Sequence, residues 1–173
     1  MHREDGFTLR NSKGQTIEHF GFADGVSQTL FDSHEIRRQQ QEGDSFSNWD
    51  SRSPLSLVLV KDPNGQHEDS YGSYLVLRKL EQNVKQFKAD INQLAQATDL
   101  PPELAEAFTI GRFKDGTPVS ESVTSDGTSG NNFNYAADPS GSRCPFHAHI
   151  RKTNPRGDTR SEEHTSELQS PCN

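Results

Sequence analysis

Cysteine is scarce in this sequence. Cys144 and Cys172 are the two cysteines among 173 residues, and no Cys-x-x-Cys pair occurs, so a disulfide framework is excluded. With nothing stapled, a reducing compartment is favoured over an oxidising one. Long apolar runs are absent too. The longest are of the kind Leu57-Val58-Leu59-Val60, far short of the ~20 residues that cross a bilayer, so no membrane span is expected. The N-terminus has no apolar stretch of signal-peptide type, and a cytoplasmic setting is the expectation, with the compartment otherwise open. Positive charge is in deficit, with a formal net charge of -7, which argues against a general nucleic-acid backbone binder. Apolar residues make up 29% of the chain. Leu, Ile, Val and Phe together fall just under the ~20% level at which a packed core becomes hard to build. What remains is a polar chain with a thin core and the length of one domain or part of one.

Met1 to Gln15 is charged and glycine-bearing, and Lys13-Gly14 reads as the turn of a loop or weak hairpin. A short mixed run, Ile17 to Phe22, leads into Gly21-Phe22-Ala23-Asp24-Gly25. His34 to Ser53 shows no clear apolar period and reads as a long surface connection. Leu55 to Val60 is expected to be a buried strand between Pro54 and the turn Asp62-Pro63-Asn64-Gly65, and Tyr74 to Leu80 a second strand entered through Gly72-Ser73. From Glu81 to Ala97, apolar residues at Val84, Phe87, Ile91 and Leu94 are spaced 3, 4 and 3 apart, the period of an amphipathic helix. Pro101-Pro102 ends that helix and opens another, Glu103 to Phe108, with Leu104, Ala107 and Phe108 turned inward. Gly111 to Val119 holds an Asp115-Gly116 turn, and Thr124 to Asn134 is loop by composition. The mixture predicts an α+β fold.

Three constellations carry chemical potential. In Gly21-Phe22-Ala23-Asp24-Gly25 the flanking glycines permit a tight turn or a close approach to a ligand, holding Asp24 at a defined point. In Cys144-Pro145-Phe146-His147-Ala148-His149-Ile150-Arg151, two histidines near a cysteine suggest metal binding. Zinc would need four ligands that no second cluster supplies, whereas haem iron needs one axial histidine because the porphyrin provides four nitrogens. Arg151, Lys152 and Arg156 add cationic side chains suited to carboxylates, or to a solvated surface. Spacing alone leaves the structural alternative open for all three.

Taken in order, several stretches resemble the dye-decolorising (DyP-type) haem peroxidases. Phe20 through Gln28, FGFADGVSQ, is similar to that family's GxxDG signature. Gly72 through Val84, GSYLVLRKLEQNV, resembles its strand-to-helix segment, and Gly111 through Pro118, GRFKDGTP, its GRWxxGTP stretch. Asn132-Phe133-Asn134-Tyr135 and Cys144 through Arg156 resemble the surroundings of the proximal histidine. The resemblance runs from about His19 to Arg156 and implies the dimeric ferredoxin-like α+β fold, represented here mostly by its C-terminal half. It further implies haem b as cofactor, with hydrogen peroxide and small organic electron donors (phenols or dyes) as partners, and it leaves homo-oligomerisation open. Asp24 then maps to the distal acid that moves the peroxide proton. His149, before Ile-Arg, maps to the proximal iron ligand, while Arg151 and Arg156 fall to cofactor binding. Trp49, Tyr71, Tyr74 and Tyr135 are the aromatics able to relay electrons, although packing is the ordinary role of such residues. The rival reading from another class is a haem-binding or iron-handling protein without peroxidase turnover.

Arg160 to Ser170, RSEEHTSELQS, resembles an in-frame translation of a sequencing adapter. The expected division is therefore residues 1–159 as a partial peroxidase domain and 160–173 as a non-native tail. By the resemblance, the family's distal arginine lies beyond Asn154-Pro155-Arg156 and its first ferredoxin-like half before Gly21, so truncation at both ends is the expectation.

Overall fold

In a computed structural model of the chain, the residues described are 5–25, 29–41, 46–127 and 130–158. The adapter-like tail, residues 160–173, lies outside them. The described part is mixed: two two-stranded antiparallel sheets and four helices. No helix among the described residues is long and apolar enough to cross a membrane.

The expected N-terminal hairpin forms. Strands β1 (Leu9–Arg10) and β2 (Thr16–Ile17) pair with Leu9 opposite Ile17 and Arg10 opposite Thr16. The turn closes because the Asn11 Oδ1 accepts the N–H groups of Lys13 and Gln15, each at 3.0 Å, the local bonding that makes asparagine a turn residue.

Helix α2 (Val84–Thr98) and helix α3 (Pro102–Ile110) form the main scaffold. Asn83 caps α2 by accepting the Gln86 N–H at 3.0 Å, and Asp99 ends it in the left-handed region at φ 54°. Pro102 opens α3 at a position where its missing N–H costs nothing. The expected stripe of α2 turns inward through Ile91 and Ala95, with Phe87 against Phe20 at 4.6 Å between ring centroids. Leu94 stays exposed; Ala95 takes the inner position.

Three expectations are corrected. The 34–53 stretch is not simply a connection: helix α1 (Ser33–Gln41) occupies its start. That helix buries nothing and so leaves no apolar period; it is held by Asp32, which accepts the N–H groups of His34 and Glu35, and by an Arg38–Glu35 ion pair. Leu55 to Val60 is not a buried strand. Leu55–Leu57 forms a 3₁₀ turn with its leucines exposed, and only Val60–Lys61 (β3) pairs, with Tyr71–Gly72 (β4). Tyr74 to Leu80 forms no strand, and Leu75 is 92% exposed, because no neighbouring strand among the described residues offers the ladder that would bury it.

The core lies at the C-terminal end of α3. Ala107, Phe113, Val119, Phe133, Tyr135, Cys144 and Ala148 pack together, with Leu104, Phe108 and Ile150 against them. The final helix, α4 (His149–Thr153), docks where α3 ends. Gly111 permits this contact: it sits at φ 98°, and a Cβ there would come within 2.4 Å of the Ile150 side chain.

Candidate functional site

A cavity of about 520 Å³ opens beside the α3–α4 junction, within the size range of small-molecule and cofactor sites. Phe20, Phe22, Ile110, Phe113 and Ile150 supply apolar walls. Asp24, Arg112, Glu18, Gln82 and His149 supply the polar ones. Asp24 and His149, far apart in sequence, thus line one cavity.

Asp24 arrives on a loop whose ends are tied down through its own backbone N–H groups. Ala23 N–H donates to the Lys114 carbonyl at 2.8 Å and Asp24 N–H to the Thr16 carbonyl at 3.0 Å, tying the loop to the hairpin and to the turn after α3. Gly21 and Gly25 both adopt positive φ, 102° and 76°, as the sequence pattern suggested. The Asp24 carboxylate itself is exposed and accepts the Gly25 N–H at 2.8 Å.

His149 is the first residue of α4, exposed toward the cavity; His147 is exposed but does not line it. The orientation of α4 is fixed two residues on, by Arg151. That side chain is completely buried, and its Nη1 donates to Asp138 Oδ2 at 2.8 Å while Nη2 donates to the Asp138 carbonyl at 3.0 Å. The Nε donates to Asp158 and Nη1 also to the Cys144 carbonyl, with the rings of Tyr135 and Phe146 each 4.5 Å from the guanidinium. Arg151, expected from the resemblance at the cofactor, is thus among the described residues a wholly buried internal anchor that does not line the cavity.

Asp138, which sequence reading missed, is the other half of that anchor. Burial alone would raise its pKa, but the Cys144 and Arg143 N–H groups and the Arg151 guanidinium together hold it below the ordinary 3.8. Burial pushes the Cys144 thiol up to about 12, so it stays protonated and inert.

Arg112 was also missed as a site residue, although its motif was visible. It is buried at the cavity wall, donates to the Gly116 carbonyl at 2.6 Å, and lies 5.0 Å from the Phe133 ring. Desolvation, reinforced by the nearby Arg156, lowers its pKa to about 10, still charged at neutral pH. Arg156 also reaches the Phe133 ring, 4.0 Å from its guanidinium, but does not line the first cavity. It lines a second cavity of about 490 Å³ with Trp49, Asp50 and Ser51, and donates to the Asn131 and Phe133 carbonyls at 2.6 and 2.9 Å. The structure thus separates Arg156 from the cavity that holds Asp24 and His149. Of the oxidisable aromatics, Tyr71 and Tyr74 are exposed, Tyr135 is in the core, and Trp49 is half-buried over Arg156.

Among the described residues no cluster of three or more His, Cys, Asp or Glu gathers as a protein-only metal cage. One imidazole at the edge of an apolar cavity is a donor set suited instead to a macrocycle that brings its own four nitrogens.

The chain is 46% identical over 160 residues to the multifunctional dye peroxidase DyP2 of Amycolatopsis sp., a match covering 89% of this chain and 34% of that protein. It matches the crystal structure of a DyP-type peroxidase from Anabaena sp. with a TM-score of 0.87 at 54% identity, covering 96% of this chain and 36% of the other. It belongs to the DyP-type peroxidase family. No protein-family model matches the chain. A third relative is a dye-decolorizing peroxidase in complex with 2,6-dimethoxyphenol, with a TM-score of 0.58 at 26% identity, covering 90% of this chain and 38% of that one. The chain spans about a third of the length of the relatives it matches. This DyP-family chain accordingly represents part of the ferredoxin-like α+β fold, and the family to which it belongs is one of haem enzymes.

Proposed function

We propose that the chain forms the haem-facing part of a peroxidase that oxidises phenolic or dye-like donors with hydrogen peroxide. One observation carries the reading: Asp24 and His149 line the same largely apolar cavity. The peroxidase names of the relatives support turnover over the iron-handling alternative, and the phenol held by one of them supports a phenolic donor.

In this reading His149 holds the group through a ring nitrogen, and Phe20, Phe22, Ile110 and Ile150 exclude water around it. Haem b, when bound, supplies a redox-active iron that takes oxidising equivalents from peroxide and passes them to the organic donor. Peroxide must lose a proton from one oxygen and gain one on the other before water can leave. The exposed Asp24 carboxylate takes that proton and returns it, a relay typically worth about 10²–10⁴-fold in rate. Arg112, charged and held at the cavity wall, favours anionic groups there. Arg156 serves a structural role beneath Trp49 and Phe133 in place of cofactor binding.

The test is a haem titration of the 173-residue chain followed by optical absorption. A one-to-one Soret band weakened by His149→Ala and not by His147→Ala is expected. In the haem-loaded protein, Asp24→Asn slows peroxide turnover by about 10²-fold or more and leaves haem in place. Equal loss in both histidine variants would move the ligand elsewhere, and unchanged turnover in Asp24→Asn would remove Asp24 as the relay.

A further inference from the structure

The loop that presents Asp24 is clamped from within by a carboxylate. Glu18 Oε2 accepts the Phe20 N–H at 2.8 Å and Oε1 accepts the Phe22 N–H at 2.9 Å. The backbone closes the same ring: Glu18 N–H donates to the Phe22 carbonyl at 3.0 Å and Gly21 N–H to the Glu18 carbonyl at 2.9 Å. From outside, the Gln82 side-chain amide donates to Glu18 Oε2 at 3.2 Å, joining the loop to the residue before the α2 cap. A third cavity, of about 310 Å³ beside the N-terminal hairpin, shares Glu18, Asp24 and Gln82 with the first. These three residues are therefore the partition between the first and third cavities, with Asp24 lining both.

We infer that Glu18 is a positioning residue for Asp24. Among the described residues the Asp24 carboxylate accepts a single hydrogen bond, from Gly25 within its own loop. Its location is thus set by the backbone, and Glu18 is the side chain that fixes that backbone. Only a carboxylate offers two acceptor oxygens to two amides that converge this way. A glutamine of the same shape would serve one N–H and turn its NH₂ against the other. Hydrogen bonds to a charged acceptor are stronger than neutral ones, so the ionised form holds the loop. The consequence for the reaction rests on the relay role given to Asp24 above.

Nuclear magnetic resonance on the 173-residue chain without haem tests the clamp independently of that role. In Glu18→Gln the Phe20 and Phe22 amides are expected to lose about ten-fold or more of their exchange protection. The Asp24 carboxyl carbon and the Gly25 amide should shift in the same spectra. Gln82→Ala should move these signals in the same direction by less, and it carries the test if circular dichroism shows Glu18→Gln to be unfolded. Asp62→Asn, in an exposed turn elsewhere, should move none of them. If protection falls but the Asp24 and Gly25 signals stay in place, Glu18 is merely structural and the inference fails; it fails equally if protection is unchanged. Unchanged peroxide turnover in Asp24→Asn would remove the relay and leave the clamp standing.

Discussion

Replacing Arg151 by methionine should be among the most damaging single changes available to this chain. The guanidinium is wholly buried and serves two carboxylates, those of Asp138 and Asp158, and two backbone carbonyls, those of Cys144 and Asp138. Methionine keeps contact with the Tyr135 and Phe146 rings but leaves both acids without their cation in the interior. Removing one partner of a buried pair costs about 3–5 kcal/mol, against a total stability of about 5–15 kcal/mol for a domain. At a typical urea slope of about 1–3 kcal/mol per molar, the unfolding midpoint should drop by about 1 M or more. Urea titration followed by Trp49 fluorescence and circular dichroism measures this. Arg143→Met, at an exposed side chain reaching the Ser120 carbonyl at 3.3 Å, serves as a control within about 0.5 kcal/mol. A loss below about 1 kcal/mol in Arg151→Met would refute the anchor. The same anchor has a pH signature. The Asp138 pKa is lowered in the folded state, so its contribution is complete above the ordinary value of 3.8 and is lost as pH falls through the folded value. Wild-type stability should therefore decline on acidification below about pH 4, and this part of the decline should vanish in Asp138→Asn, which starts from lower stability at neutral pH.

Gly111→Ala combines a positive φ of 98° with a Cβ placed 2.4 Å from the Ile150 side chain, so a loss of about 2 kcal/mol or more is expected, together with weaker haem retention as α4 is pushed away. Thermal melts and haem titration of the same variant check both. Tyr135 is buried with a hydroxyl that has no hydrogen-bond partner among the described residues, so Tyr135→Phe should be neutral or stabilising by about 1 kcal/mol; a clear loss would reveal a partner for the hydroxyl.

Local signals carried a good part of the fold. The α2 period, the Pro101-Pro102 break and the Asp115-Gly116 turn all depend on neighbours within a few residues, and each appears where the sequence placed it, although α2 starts at Val84 behind an Asn83 cap and not at Glu81. Helix α1 could have been read from Asp32 and Glu35, an acidic cap followed three residues later by glutamate, but its exposed surface left no apolar period. The family motifs singled out Asp24 and His149, and these two residues line one cavity. Tertiary structure alone decided the rest. Strand formation at Tyr74 to Leu80 needs a neighbouring ladder, which no local pattern supplies. The fate of each arginine depended on what surrounded it. Arg151, Arg156 and Arg112 carry the same charge in the sequence, yet they become an internal anchor, a wall of the second cavity and a wall of the first. Burial and partner geometry separate them, and those are properties of residues brought together from distant parts of the chain.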